Sequence, residues 1–442
     1  MITRLRSLWD SINASYWFYP GLFALGAFCL ALVTIWLDRT GEMEWLANVG
    51  FVEAARPNGA RSMLTVIAGS MIGVASTVFS ITIAAVAYAS GNYGPRLLTN
   101  FMEDKGNQLS LATFIATFVF AITVLRTVRD EGEVAAVAAT GDPLPGFVPQ
   151  LSLLVAYALM GVSVMVLVYF LNHIPASIRV NTVLKGIGER LIRDIKRDFS
   201  KPNRGHVAEI RPTGRPVLTE AVGYVQIIDY ERLNTLATEQ GGRIELAIRT
   251  GDFVHPEMPL VYWKDDGAPD ELPFDTIRSC FALGGRRTPS QDLHFLIDEL
   301  VEIGLRALSP GINDPFTAIS ALHWLGAATA ELGRRDLTRS FGKAERPDED
   351  RLILPNDDFA HYVQRGFGSM RSAVATSPNA AVVMFDTLRH ATSTFDDEER
   401  RRVLVEEGEQ LMRQARLELE GPNLEQVEAR YHSFMKDMAN RS

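Results

Sequence analysis

Hydrophobic positions fall into two unlike regimes along this chain. Up to about residue 170 they form long uncharged runs: Trp17–Leu37, Met63–Ala89, Leu109–Leu125 and Val148–Leu171. Each is long enough to cross a hydrocarbon core of ~30 Å as a helix. Residues 1–172 are therefore expected to form an α-helical membrane domain of four transmembrane helices. The first run is too long for a signal peptide, and "TIWLDR" offers no small-residue cleavage site. Tyr16, Trp17, Tyr19 and Trp36 mark its ends, as interfacial aromatics do.

After residue 172 the apolar positions become periodic. "NHIPASIRVNTVLKGIGERLIRDIKRDF" carries Val180, Leu184, Ile187, Leu191 and Ile195 at helical spacing. Residues 173–204 are read as an amphipathic stalk, with a lipid-surface helix as the other reading. Residues 205–275 change to short β-branched runs, Tyr224–Ile228, Arg243–Ile248 and Pro259–Trp263. Asp229 is placed to cap a helix over Tyr230–Gln240. This small β module is similar to the barrel-sandwich modules of biotinyl- and lipoyl-type domains over "GDFVHPEMPL". No lysine stands at a hairpin tip, so no attached cofactor is inferred. Residues 276–442 read as a cytoplasmic helical bundle opening at "TPSQ", with Thr288 as cap and Pro289 in the first turn. Amphipathic runs follow at Asp358–Ala375, Asn379–Thr392, Asp397–Leu419 and Asn423–Asn440, interrupted by the polar linker "KAERPDEDRLILPNDD".

Charge adds orientation. Basic residues flank the spans on one side: Arg4 and Arg6, Arg96 and Lys105, then Arg179, Lys185, Arg190, Arg193, Lys196 and Arg197. Glu42, Glu44, Glu53, Glu131, Glu133 and Asp142 fall in the other two loops. The positive-inside rule then puts both termini in the cytoplasm of a bacterial inner-membrane protein. No Asp, Glu, Lys, Arg or His lies inside any of the four runs, which disfavours a proton-driven pump. The net charge of −9 argues against a nucleic-acid partner. Cys29 and Cys280 are too few for a disulfide framework, and Cys29 is expected to be a small buried side chain.

The second run has one small or hydroxylated face. Gly69, Gly73, Ser76, Thr77, Ser80, Ala84, Ala87 and Gly91 fall within an arc of roughly 100° on a helical wheel. Such a face serves close helix–helix packing, or lines a path when several copies surround an axis. The two uses are compatible in an oligomer, and a homo-oligomer in the lipid bilayer is expected because the face wants a close partner beyond the spans of its own chain.

"RALSPGINDPFTAISAL" reads as a helical hairpin, with Pro310-Gly311 stopping one helix and Asp314-Pro315 starting the next. Ser309 and Asn313 are left over. Arg286 and Arg287 precede a helix start, where free N–H groups favour an anion. A small anionic ligand is thus one expectation for Arg278, Arg286, Arg287, Asp292, Ser309, Asn313 and Asp314; helix capping and charge pairing are the other.

Four N-terminal spans, "YGPRLL", a Gly-Tyr-Val-Gln strand, "RRTPSQD" and "LSPGINDPFTA" together resemble a family of bacterial predicted membrane proteins defined by a domain of unknown function. The resemblance covers nearly the whole chain. It implies an integral membrane protein and supplies no substrate or catalytic residue. No P-loop, G-x-S-x-G, H-E-x-x-H or EF-hand pattern occurs, so no enzyme is expected. His294 and Asp298 form an i, i+4 pair to which His323 could add a metal ligand, but the three read as polar side chains on a solvated or satisfied face, so no metal or cofactor is expected. The function expected from sequence is an oligomeric channel or passive transport protein with a regulatory cytoplasmic domain; the alternative is a membrane-anchored sensor or scaffold.

Overall fold

A computed structural model describes residues 15–40, 56–94, 104–130, 146–199, 214–265, 274–338 and 351–440. Arg4, Arg6, Arg96, Glu42, Glu44, Glu53, Glu131, Glu133 and Asp142 lie outside the described residues, as do "PRLL" and "KAERPDED". The chain divides into two compact units, one holding the apolar helices and one formed by Val180–Ser442.

The first unit contains α1 (Phe18–Thr40), α2 (Pro57–Tyr93), α3 (Lys105–Leu125) and α4 (Gln150–Ser177). All four are long and apolar enough to cross a membrane. Their shared core is built from Ala31, Leu64, Ile67, Phe114, Phe120, Ala156 and Phe170. Polar groups fix the helix ends. Asp38 near the end of α1 accepts hydrogen bonds from the N–H groups of Leu151 (2.9 Å) and Ser152 (3.0 Å), capping α4. Asp104 caps α3 through the Asn107 N–H (3.1 Å) and meets His173 Nε2 at 2.9 Å. His173 belongs to α4 because that helix runs past the apolar run to Ser177. In mid-helix, Thr117 and Ser163 join their hydroxyls at 2.9 Å. Cys29 is exposed on α1 rather than buried, because the core-facing positions there are Ala27, Ala31 and Ile35.

The second unit begins with α5 (Val180–Asp198). The helix expected as a stalk lies against α8 (Leu293–Ala307) and α9 (Pro315–Gly333), with Leu184, Ile187, Leu191 and Ile195 buried. Gly188 sits so close to the Trp324 ring that no Cβ fits there. Arg190 reaches the Pro289 carbonyl (3.2 Å), and Arg335 reaches the Phe199 carbonyl (2.7 Å). The apolar stripe is therefore used within the bundle.

The β region forms two small sheets. Strands β1 (Arg215–Leu218), β2 (Gly223–Ile228), β3 (Gly242–Leu246), β4 (Phe253–Val254), β5 (Pro259–Asp265), β6 (Phe281–Gly284) and β7 (Leu352–Ile353) are joined by α6 (Tyr230–Glu239) and α7 (Phe274–Ser279). The order is β1-β5-β3-β7 in one sheet and β4-β2-β6 in the other. Every pairing is antiparallel except β3 with β7. Their common core includes Val225, Ile244, Val261, Trp263 and Ile277. Asp229 caps α6 as its spacing predicts. Strand β7 lies inside the stretch read as a polar linker, where Leu352 is the apolar residue that the core takes up.

The helical part continues with α10 (Phe359–Val363), a π-helical turn at Gln364–Gly368, α11 (Ser369–Ala375), α12 (Pro378–Thr392), α13 (Glu398–Glu418) and α14 (Gly421–Ala439). Helix α8 starts four residues later than expected: Asp292, not Thr288, is its cap, accepting from the Phe295 N–H at 3.0 Å. The reason is that Gln291 is used elsewhere. Its side chain accepts from the Ile228 N–H (3.0 Å) while its carbonyl accepts from the Thr250 hydroxyl (2.7 Å). The Thr288 hydroxyl is buried with no hydrogen-bond partner.

If α5 is a core helix, Leu191→Ala should destabilise the protein by about 2–5 kcal/mol. Lys185→Ala on the same helix should change stability by no more than about 0.5 kcal/mol. Chemical denaturation in detergent reads both; equal, negligible effects would restore the stalk.

Candidate functional site

The candidate site lies within the C-terminal unit, where the turn at Arg249–Asp252, the start of α8, the strand-to-helix segment before α10 and the π turn converge. It is built on a row of alternating charges. Arg287 donates from Nε (2.9 Å) and Nη2 (2.6 Å) to Asp292 Oδ2 and from Nη1 to Asp298 Oδ2 (2.6 Å). Arg365 approaches Asp298 from the other side, with Nε on Oδ1 and Nη2 on Oδ2, both at 2.8 Å. The second contact is a bidentate fork, the stronger geometry for this pair. Arg287 also lies over the Phe295 ring, 5.6 Å from its centroid.

Local sequence explains how these groups meet. Asp292 and Asp298 stand about one and a half turns apart on the first half of α8, and Arg287 bridges them from the preceding loop. Arg365 lies on the π turn, where the Ser369 N–H reaches back to the Gln364 carbonyl and opens the usual ladder. Gly251 has φ +93° and brings its backbone against the Asp292 carboxylate, leaving no space for a side chain.

Electrostatics separates the two acids. Burial pushes Asp298 up, but Arg365 and Arg287 outweigh it, and its carboxyl lies below the usual range. Burial of Asp292 dominates over Arg287 and the Phe295 N–H, so its carboxyl is shifted up.

Beside this row lies a second group. His294, one helical turn before Asp298, has Nε2 3.2 Å from Asp357 Oδ2. The two atoms are close but misaligned, and His294 Nε2 makes no hydrogen bond. His361 Nε2 is 3.8 Å from Asp357 Oδ1, and Arg249 Nη2 is 2.8 Å from that same oxygen. The two imidazole rings are 5.0 Å apart between centroids. His294, Asp357 and His361 each offer one ligand atom, all within 4.8 Å of one another. They are the side chains that meet in metal-ligating geometry among the described residues. Burial, offset by His294 and Arg249, leaves Asp357 below its ordinary pKa. Burial also lowers His361, against the pull of Asp357, favouring the neutral imidazole.

Of the residues singled out in sequence, the structure brings Arg287 and Asp292 into this site. Arg278 lies on α7, paired with Asp275 and Glu220 at 2.9 Å and with the Leu218 carbonyl at 2.8 Å. Arg286 is exposed, and its carbonyl accepts from Gln226 (2.8 Å). Ser309, Asn313 and Asp314 form the hairpin at the other end of α8, about 22 Å along its axis. There the Ser309 hydroxyl donates to the Arg306 carbonyl (2.6 Å), and its own carbonyl accepts from Ile312 (3.0 Å) and Asn313 (2.9 Å). Asn313 has φ +50°, a conformation asparagine tolerates. Asp314 caps α9 through the Thr317 N–H (3.1 Å). Asp298 turns to the arginines, and His323 is exposed on α9. Asp357, His361, Arg365 and Arg249 were missed. The one signal for them was the short apolar "LIL" before "PNDD", which hinted that the linker was not all polar.

The eight residues of the small face on α2 are all exposed: Gly69, Gly73, Ser76, Thr77, Ser80, Ala84, Ala87 and Gly91. Ala60, Leu64, Ile67, Met71, Ala75, Val78 and Thr82 are buried on the opposite side. The hydroxyls of Ser76, Thr77 and Ser80 donate to carbonyls four residues back in their own helix, at 2.9, 3.0 and 2.9 Å.

Four membrane-capable helices followed by a mixed region of small sheets and helices define a polytopic membrane protein with a folded C-terminal unit. Residues 13–390 match the family model described as "Predicted membrane protein (DUF2254)", and the chain belongs to that family of unknown function. It is similar to uncharacterized proteins of Mycobacterium bovis and Mycobacterium tuberculosis. Each is 28% identical over 411 residues, covering 91% of this chain and 76% of the relative. No solved structure matches the chain.

The low Asp298 pKa predicts a specific acid sensitivity. A depressed folded pKa contributes stability above the unfolded value near 3.9, lost as pH falls through the folded value. Asp298→Asn should cost about 3–5 kcal/mol near neutral pH, as an arginine loses its buried partner. It should also flatten the fall in stability below about pH 4. Denaturation curves at several pH values check both.

Proposed function

We propose that this protein is a homo-oligomeric channel or passive transport protein of the bacterial inner membrane, with the second helix lining the path. Both termini and the C-terminal unit then lie in the cytoplasm, where the C-terminal unit regulates the path. The supporting observation is the exposed small face of α2. It runs from Gly69 to Ala87 without an ionisable group, and its residues are exposed among the described residues. Its hydroxyls are satisfied within the helix, so they can face lipid, a second helix or water without a desolvation penalty. At 37 residues α2 is roughly 55 Å long, more than the hydrocarbon core requires.

The reading assigns the protein no enzymatic activity. In this proposal the two small sheets form a barrel-sandwich-like module with a structural role. A second reading is a membrane-anchored sensor or scaffold. It is favoured by the hairpin at Ser309–Asp314, where Ile312 and Phe316 expose large apolar side chains suited to a protein partner. A small anionic ligand at the arginines gains less support, because Arg278 and Arg287 already hold carboxylates.

Ion flux through the purified protein in liposomes tests the channel. Ser76→Leu with Ser80→Leu should abolish flux while the oligomer persists on the same sample. Undiminished flux in that variant removes α2 from the path. Absence of flux for the unaltered protein across several ions moves the weight to the hairpin, where crosslinking should then capture a partner.

A further inference from the structure

The geometry points to a divalent transition-metal site formed by His294, Asp357 and His361, with zinc as the ion that best fits its donors. This inference does not rest on the reading of α2. Two imidazole nitrogens and one carboxylate oxygen are a donor set suited to zinc and other first-row ions. Zinc bonds of about 2.0–2.2 Å at tetrahedral angles put neighbouring ligand atoms roughly 3.3 Å apart. His294 Nε2 lies 3.2 Å from Asp357 Oδ2, close to that spacing, while His361 Nε2 lies 3.8 Å from the other oxygen, Oδ1. The set spans no more than 4.8 Å. His361 is the exposed member of the set.

Independent features agree. His294 Nε2 is a buried nitrogen that faces a carboxylate without making a hydrogen bond to it. Two ligand atoms directed at a common third atom give this arrangement: close together, yet not aimed at each other. Asp357 is held by Arg249 through Oδ1 at 2.8 Å, leaving Oδ2 toward His294. A fixed outer partner of this kind orients a ligating carboxylate. Arg249 also binds the Asn356 carbonyl (3.2 Å), so the segment that carries Asp357 is anchored on both sides of its charge.

Three protein ligands leave one tetrahedral position for water or an exogenous group. The ion would join α8, the segment after β7, and α10. It would thereby tie the turn at Arg249 to the helices, since Arg249 shares Asp357 with it. The role is a staple within the C-terminal unit whose occupancy follows metal supply.

The test uses the full chain in detergent, stripped with chelator and reloaded with zinc or cobalt(II). Metal per chain is measured by mass spectrometry after gel filtration. The expected result is about one ion per chain, visible d–d absorption for cobalt, and a melting temperature raised by zinc. His361→Gln, at a partly exposed position whose loss spares the core, should weaken zinc binding at least about 10-fold and remove the thermal shift. The melting temperature of its metal-free form should match that of the unaltered metal-free protein. His323→Gln should change nothing. Failure of the unaltered protein to retain metal overturns the site. So does metal retained equally by His361→Gln and His294→Gln, because the ion would then be bound elsewhere.

Discussion

The Asp298 carboxylate held between Arg287 and Arg365 is the constraint around which the C-terminal unit is arranged. Each of the three side chains comes from a different segment: a loop before α8, α8 itself and the π turn. Burying a carboxylate costs several kcal/mol unless its geometry and partners are good. Here both oxygens accept at 2.6–2.8 Å. Such a group is a weak source of net stability but a strict one of register. Any shift of α8 against the π turn would leave a buried charge unpaired, which is far costlier than a lost apolar contact. Asp292 extends the constraint by capping α8 and holding Arg287 at once, and Gly251 lets the β turn close over it.

This arrangement changes what the arginines can do. In the sequence, Arg286 and Arg287 before a helix start suggest an anion site. In the folded unit the first-turn N–H of α8 already has its carboxylate from within the chain, and so does Arg287. The anion that the helix start invites is Asp292. The chemistry left over sits in the same first turn, where His294 shares a face of α8 with Asp298. The arginine row therefore acts as a rigid frame for the histidine beside it. A ligand atom on a helix whose start is pinned by charge needs little reorganisation to bind.

The spans were legible because a run of uncharged residues needs no partner to declare itself. The caps at Asp229 and Asp314 were legible because a cap is a short-range device read over three or four residues. The start of α8 was misread because Thr288 and Pro289 imitate a cap, while Gln291 is claimed by β2 and the Thr250 hydroxyl across the fold. Local grammar cannot see that claim. Helix α5 showed its stripe plainly, but nothing local says whether lipid, solvent or α9 will cover it. The histidine–aspartate group was least legible. His294 had been set beside Asp298 and His323, its neighbours by helical spacing, whereas its partners come from about 65 residues away, one of them in a stretch read as linker.

The membrane unit poses the opposite problem, a surface with no internal explanation. Glycine inside a helix costs about 1 kcal/mol relative to alanine. Among the described residues, Gly69 and Gly73 meet nothing within 4 Å that a Cβ would touch, so no close approach there offsets that cost. The buried side of α2 mixes Leu64, Ile67 and Met71 with Ala60, Ala68 and Ala75, and it does not include the glycines. In lipid, the gain from small residues comes from backbones that approach one another. A second copy of α2 would supply that approach with the same residues on both sides. On the reading proposed here, the exposed face and the oligomer are one feature, and the in-helix bonding of Ser76, Thr77 and Ser80 leaves the contact compatible with either a dry seam or a wetted path.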